Sequence, residues 1–247
     1  FNNIDISIIM RKIIAALVLI MVSNAIFAQT PNPSDELKKK VFKKPKRQDQ
    51  IILDLHGSQL LKNNSYGVKQ KAFSHGISAA LMWDAPIKKS PIALGAGLGV
   101  SNENYFLDKM VSRTPDNGTE FIDFPLKSKS YKFSTTTIEI PLELRIRFKP
   151  ERRNSIKMAF GFKIGYVVQS KTKYKGEAIS YGTLIQDAKI KEYDIPGINR
   201  LRYGVHFRMG YGRFAGTFSY ALSEMFQPNK GPQGWAPVSL GFTLTPF

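Results

Sequence analysis

Eleven side chains in this sequence could carry proton or ion chemistry: Asp54, His56, Glu139, Glu143, Arg145, Arg147, Lys157, Lys163, Arg202, His206 and Arg208. Carboxylates beside histidines are the groups of general acid–base catalysis, and files of carboxylates and cations also line proton or ion paths. Hydrolysis or acyl transfer would need a nucleophile or activated water within reach of a base. The only histidines are His56, His75 and His206, and the long turn-rich stretches hold Ser, Thr, Asp and Glu but no histidine. There is no cysteine, which removes thiolate nucleophiles, thiolate metal ligands, disulfides and the lipid-accepting cysteine of a lipoprotein. No catalytic set, metal site or cofactor site is expected, and the chain reads as a non-enzyme. Gly95, Gly97 and Gly99 do not form a phosphate loop, because that fingerprint needs a strand–turn–helix context and nothing helical follows.

The elements that must position these charges are strands. In Thr135–Phe148 the even positions from Thr136 to Phe148 are largely apolar, while the odd positions include Glu139, Glu143, Arg145 and Arg147. Such period-2 alternation is a strand with one greasy and one polar face. The same alternation runs through 156–169, 201–211 and 238–244, and more weakly through 77–83, 92–100 and 214–222. Ile51–Ser58 sets Asp54 and His56 opposite Ile51, Leu53 and Leu55, making eight strands in all. The three glycines fall on the polar parity, where small residues leave room for large charged ones.

The connections alternate in length. Long ones fall at 62–71, 106–130, 173–196 and 227–236; short ones fall at Asp84–Ser90, Lys149–Asn154 and Gly210–Arg213. Long loops at one end, short turns at the other and an even strand count describe an antiparallel up-and-down transmembrane β-barrel, apolar outward and polar inward, with both termini periplasmic. Trp83, Phe148, Tyr211 and Phe214 take lipid-facing parity at the short-turn end, and Tyr203 and Phe226 near the long-loop end, as interfacial aromatics do. Eight strands enclose a space just wide enough for side chains. The charged interior therefore reads as a salt-bridged filling, with a narrow proton or ion path as the alternative.

The net charge of +17 is read as a surface field; no nucleic-acid-binding motif accompanies it, and nucleic acid is not an expected partner. Met10-Arg11-Lys12, the apolar run Ile13–Val22 and the small-residue segment ending at Ala28 describe a secretory signal peptide cut after Ala28, with residues 1–9 upstream of it. Residues 29–49 follow; within 30–49, three prolines and seven Lys or Arg predict a flexible basic periplasmic linker before a barrel over 50–247.

The run Thr136-Thr137-Ile138-Glu139-Ile140-Pro141-Leu142-Glu143-Leu144 resembles the Glu-Ile-Pro-Leu strand of the outer-membrane β-barrel family common in Bacteroidetes, many of whose members are called PorT-like. Tyr211-Gly212-Arg213-Phe214, Ser219-Tyr220-Ala221-Leu222 and Gly241-Phe242 are similar too. The resemblance implies an eight-stranded barrel in a Gram-negative outer membrane, with a link to type IX secretion through PorT, and it carries over no catalytic residue. Pro141 lacks an N–H, so a bulge is expected there. Phe247 is out of phase with Leu240, Phe242 and Leu244. The expected function is a structural or interaction barrel working through its external loops and basic tail. Its expected partners are outer-membrane lipid and lipopolysaccharide, the barrel-insertion machinery and secretion-machinery proteins.

Overall fold

The structure is a computed structural model and describes residues 50–61, 67–71, 73–87, 90–148, 154–181 and 183–245. The expected signal peptide, the basic linker and Phe247 lie outside the described residues. The strands are β1 (Gln50–Leu61), β2 (His75–Pro86), β3 (Ile92–Phe106), β4 (Met110–Arg113), β5 (Thr119–Ile122), β6 (Ser128–Arg147), β7 (Ile156–Ser180), β8 (Thr183–Tyr193), β9 (Leu201–Tyr211), β10 (Phe214–Ala221) and β11 (Ala236–Leu244).

Eight of them, β1-β2-β3-β6-β7-β9-β10-β11, form an antiparallel ring that β11 closes on β1, with Leu53 opposite Leu244 and Leu61 opposite Ala236. Closure leaves no unpaired edge in the wall, which is what a strand needs where no water can satisfy its backbone. The pleat then decides sidedness. Leu55, Leu98, Ile140, Phe160 and Phe242 point out and are exposed, whereas Asp54, Glu143, Arg145 and Arg208 point in and are buried. A water-soluble barrel would show the reverse. Greasy residues outside and charges inside are stable only where the surrounding solvent is lipid.

At one rim the connections are tight. The β9–β10 turn is Gly212-Arg213 alone, with Tyr211 opposite Phe214, and Gly212 takes a φ of 60°. Two-residue hairpins of the type with left-handed backbone at the first central position demand glycine there. Trp83, Phe148, Tyr211 and Phe214 surround this rim and face outward. At the other rim the wall rises further than the alternation alone predicts: β6 has 20 residues and β7 has 25. Much of the expected loop 173–196 is therefore the β7–β8 hairpin, and the expected loop 106–130 contains the β4–β5 hairpin.

Two expectations of phase are corrected. Pro141 produces no bulge: Leu142 and Glu139 keep one register against Ala96 and Gly99, and Pro141 sits opposite Lys163 in an unbroken β6–β7 ladder. Direct pairing with β3 is simply skipped at Pro141 and Ile140, so the missing N–H is absorbed without an extra residue. The bulge lies instead between Thr136 and Thr137 of β6, where Gln169 and Val167 are their partners and Val168 is the extra residue. Val167 keeps the buried odd-numbered phase of Gly161 and Gly165; beyond the bulge β7 changes phase, and Gln169 is exposed, opposite to simple alternation.

Candidate functional site

The interior is built in two storeys. The lower storey is a charge network that starts at the short-turn rim. Asp84 of β2 holds Arg145 and Arg147 of β6. Arg145 also reaches Gln50 at 3.1 Å and donates from Nε to Glu143 at 2.7 Å. Glu143 in turn accepts from Arg208 Nη1 at 2.9 Å and lies 2.8 Å from His206 Nε2. Arg208 carries the network across to Asp54 at 3.5 Å and takes Thr243 Oγ1 at 3.0 Å; Thr243 and Ser78 complete Asp54 with donors at 2.6 and 3.0 Å.

Three carboxylates and three guanidiniums are thereby linked across β1, β2, β6 and β9. Buried charge is tolerable only when paired and hydrogen-bonded in this way. Glycines set the spacing: a Cβ on Gly95 would stand 2.9 Å from Arg145 Nε, and one on Gly161 would stand 2.7 Å from the His206 ring. The small residues of β3 and β7 are thus the vacancies that the large ones of β6 and β9 fill.

Higher in the lumen, His56 meets Glu103 at 2.6 Å, and Ser58 also donates to Glu103. Glu139 accepts from Ser101 at 2.6 Å and faces Lys163 at 3.7 Å. These groups border a cavity of about 100 Å³, roofed by Tyr105 and Arg202. The space admits a few waters at the ~30 Å³ each occupies in the liquid. Among the described residues no group of three or more His, Asp or Glu is arranged to hold a metal ion.

The upper storey is apolar. Leu60, Tyr105, Leu107, Val111, Tyr131, Phe133, Val167, Ile195, Ile198, Met225, Phe226 and Trp235 are buried together above the cavity. Phe121 stacks on Trp235 at 5.0 Å and meets Phe226 edge-on at 6.2 Å. Backbone bonds tie all four long connections into this cap: Asp108 N–H to Lys69 O, Thr119 N–H to Lys230 O, and Gln227 N–H to Gly197 O at 3.1, 2.9 and 2.7 Å. Thr119 Oγ1 adds a bond to Pro196 O at 2.7 Å.

The network gathers Asp54, Glu143, Arg145, Arg147, Arg208 and His206, while His56, Glu139 and Lys163 line the cavity above. Arg202 does otherwise. It donates to the carbonyls of Glu224 and Met225 at 3.2 and 3.4 Å, fastening β9 to the cap. Lys157 is half-buried at the short-turn rim, bordering a small cavity with Arg147. Phe226, expected in the lipid-facing ring, is 1% exposed: the chain leaves the strand before it and folds the ring inward. His75 faces outward, 2.9 Å from Phe73 O and beside Phe106.

Sequence reading missed Asp84 and Glu103. Asp84 opens the expected short connection Asp84–Ser90, yet β2 runs to Pro86; Glu103 lies past the apolar part of β3, although it keeps the odd-numbered phase of Gly95, Gly97 and Gly99. Extending that phase would have found it. The apolar cap has no period and gave no signal beyond a scatter of aromatics.

A protein-family model described as "Outer membrane protein beta-barrel domain" matches residues 46–227. Among solved structures, Ail, the attachment invasion locus protein of Yersinia pestis, is similar at 13% identity over 80% of this chain and 95% of that one, with a TM-score of 0.33. The same protein in complex with the heparin analogue sucrose octasulfate is similar at 11% identity over 81% and 97%, also at 0.33. No curated protein matches the chain.

Proposed function

Because the chain belongs to the outer membrane protein beta-barrel domain family, we propose that it is a non-enzymatic barrel with a closed lumen, acting through the folded cap of its long connections. The observation that carries this is the stacking of a paired charge network beneath an apolar core in one barrel. The network fills the lumen with paired side chains, and the core gathers four loops into one platform of the kind on which binding surfaces are displayed. A non-catalytic role is supported by the histidines: His56 and His206 are engaged with lumen carboxylates, and His75 faces outward. The described ends of the barrel, at Gln50 and Leu244, lie at the short-turn rim, which supports periplasmic termini.

Reconstitution into planar bilayers tests the closed lumen. No steady conductance is expected; a persistent open level would reject the plug in favour of a narrow channel. A second reading, an accessory role in type IX secretion within a PorT-like branch of Bacteroidetes barrels, is supported by the Glu139-Ile140-Pro141-Leu142 run. Under it, deletion abolishes secretion of type IX cargo, the full chain restores it and a copy lacking 30–49 does not. Partners under these readings are outer-membrane lipid and lipopolysaccharide, the barrel-insertion machinery and, for the second, secretion proteins.

A further inference from the structure

Above the apolar belt, β6, β7 and β8 continue as a three-stranded sheet whose register brings like charges together. Lys132 of β6 is directly opposite Lys173 of β7, and Lys173 is directly opposite Lys191 of β8. In the next row Lys175 faces Lys189, and Lys171 lies two residues along β7 from Lys173. Directly opposed residues share a face, so six lysines stand on one side of this sheet. Like charges so placed destabilise a sheet unless an anion offsets them.

The sheet supplies little of its own. Glu192 pairs with Thr172 and so lies on the opposite face; Asp187 is bonded to Lys129 at 2.6 Å and reaches Lys175 and Lys189 only through weaker attraction at the edge of the patch. Lys132, half-buried among these neighbours, is pushed below the ordinary lysine value by its partial burial and then by Lys173 and Lys171.

This face is continuous with the lipid-facing surface. On β6, Lys132 keeps the even-numbered parity of Ile138, Ile140 and Leu142. On β7 the outward residues are Phe160, Phe162, Ile164 and Tyr166 up to the Val168 bulge, and Gln169, Lys171, Lys173 and Lys175 beyond it. Without the bulge the lysines would turn inward, over the apolar cap that Thr172 and Tyr174 now face. Between belt and lysines lies a polar step made by Asn102, Thr136 and Gln169. Tyr166 and Lys171 stand opposite Ile138 and Ser134 of β6, four residues apart, about 13 Å along a strand at ~3.3 Å per residue and about 9 Å in height at a tilt of ~45°. That is the level of a glycolipid headgroup.

We propose that this lysine face binds the phosphate groups of the glycolipid in the outer leaflet of the outer membrane. The inference rests on the outer-membrane assignment and on the long connections facing outward. Phosphate charge between the lysine rows removes their mutual repulsion, while the acyl chains of the same molecule cover Ile138, Ile140 and Tyr166. The Val168 bulge is thus the device that turns the lysines of β7 toward lipid.

The test is the binding of fluorescent bis-phosphorylated lipid A to the full chain in neutral detergent micelles, read by anisotropy. At about fivefold per lysine near a membrane surface, the double variant K173Q/K191Q is expected to bind about thirtyfold more weakly, and K173R/K191R as wild type. Dephosphorylated lipid A is expected to bind wild type and K173Q/K191Q alike, and inorganic phosphate at equal concentration to leave the lipid bound. Wild-type affinity in K173Q/K191Q, or equal binding of dephosphorylated lipid A to wild type, overturns the proposal. So does displacement by inorganic phosphate, which marks a free-anion site. Unboiled gel mobility verifies folding of the variants. Should K173Q/K191Q not fold, the wild-type titration against salt decides: affinity falls steeply under the proposal, and salt-insensitive binding overturns it. Bilayer conductance does not depend on these lysines, so failure here is distinguishable from failure of the closed-lumen reading.

Discussion

The lumen and the loop cap both hide side chains from solvent, and they do so by opposite means. In the lumen most large groups are polar, Met82 and Ile52 being apolar, and the charges are buried in pairs: Glu143 alone engages Arg145, Arg208 and His206. In the cap the buried groups are aromatic and aliphatic, and Trp235 and Phe226 are held by packing. The barrel wall between lipid and lumen folds inside out; the cap above it folds as a soluble protein does. Two solvents act on one chain, and the boundary between their regimes falls where Arg202 reaches from β9 to the carbonyls of the cap.

If that contrast is right, the regions fail differently. The largest effect is expected for Glu143→Ala, which removes the carboxylate shared by Arg145, Arg208 and His206 and leaves Arg145 only Asp84 and Arg208 only the longer contact to Asp54. Breaking a buried ion pair on one side costs about 3–5 kcal/mol, and this loss should lower the urea midpoint of the whole barrel. Trp235→Ala should cost about 3 kcal/mol within the cap. Its signature is faster proteolysis of the long connections while the unboiled, fast-migrating barrel band persists. A Trp235→Ala barrel that unfolds as one unit with its loops would erase the distinction between the regions.

A smaller effect separates them by pH. Tyr131, whose hydroxyl accepts from Val111 N–H at 2.9 Å, is pushed up to about 12, chiefly by burial. A phenol with a raised value favours its neutral form in the fold. Its contribution is therefore complete below about pH 10 and lost as pH rises through 12. Proteolytic protection of the cap should fall across that window. Tyr131→Phe should cost about 1 kcal/mol at neutral pH and flatten the alkaline loss. The smallest effect is expected at Asp187→Asn. The carboxyl of Asp187 is held low by its hydrogen bond to Lys129, yet both side chains are solvent-exposed. The urea midpoint should not move.

The same contrast explains what the sequence could tell. Lumen and lipid faces alternate with period 2, so the charges of β1, β6 and β9, and the glycines that leave room for them, could be placed from spacing alone. Asp84 escaped because a proline two residues on reads as a turn, and Glu103 because the apolar signal of β3 fades at Val100 while the strand continues. The cap has no period. Val111, Ile195 and Trp235 come from different connections and meet only once the ring is closed. Bulges are equally silent: Pro141 looked like the irregular residue and was not, whereas Val168, an ordinary strand residue, carries the change of phase.

The most direct test uses the absence of cysteine, which makes single-cysteine variants unambiguous. Thr217 and Phe218 are adjacent on β10, one buried in the lumen and one facing out. In the reconstituted barrel, Thr217→Cys should resist a water-soluble thiol reagent until the protein is unfolded, and Phe218→Cys should react only with a reagent dissolved in lipid. Rapid aqueous labelling of Thr217→Cys in the folded barrel would mean an open, water-filled lumen and would contradict the account.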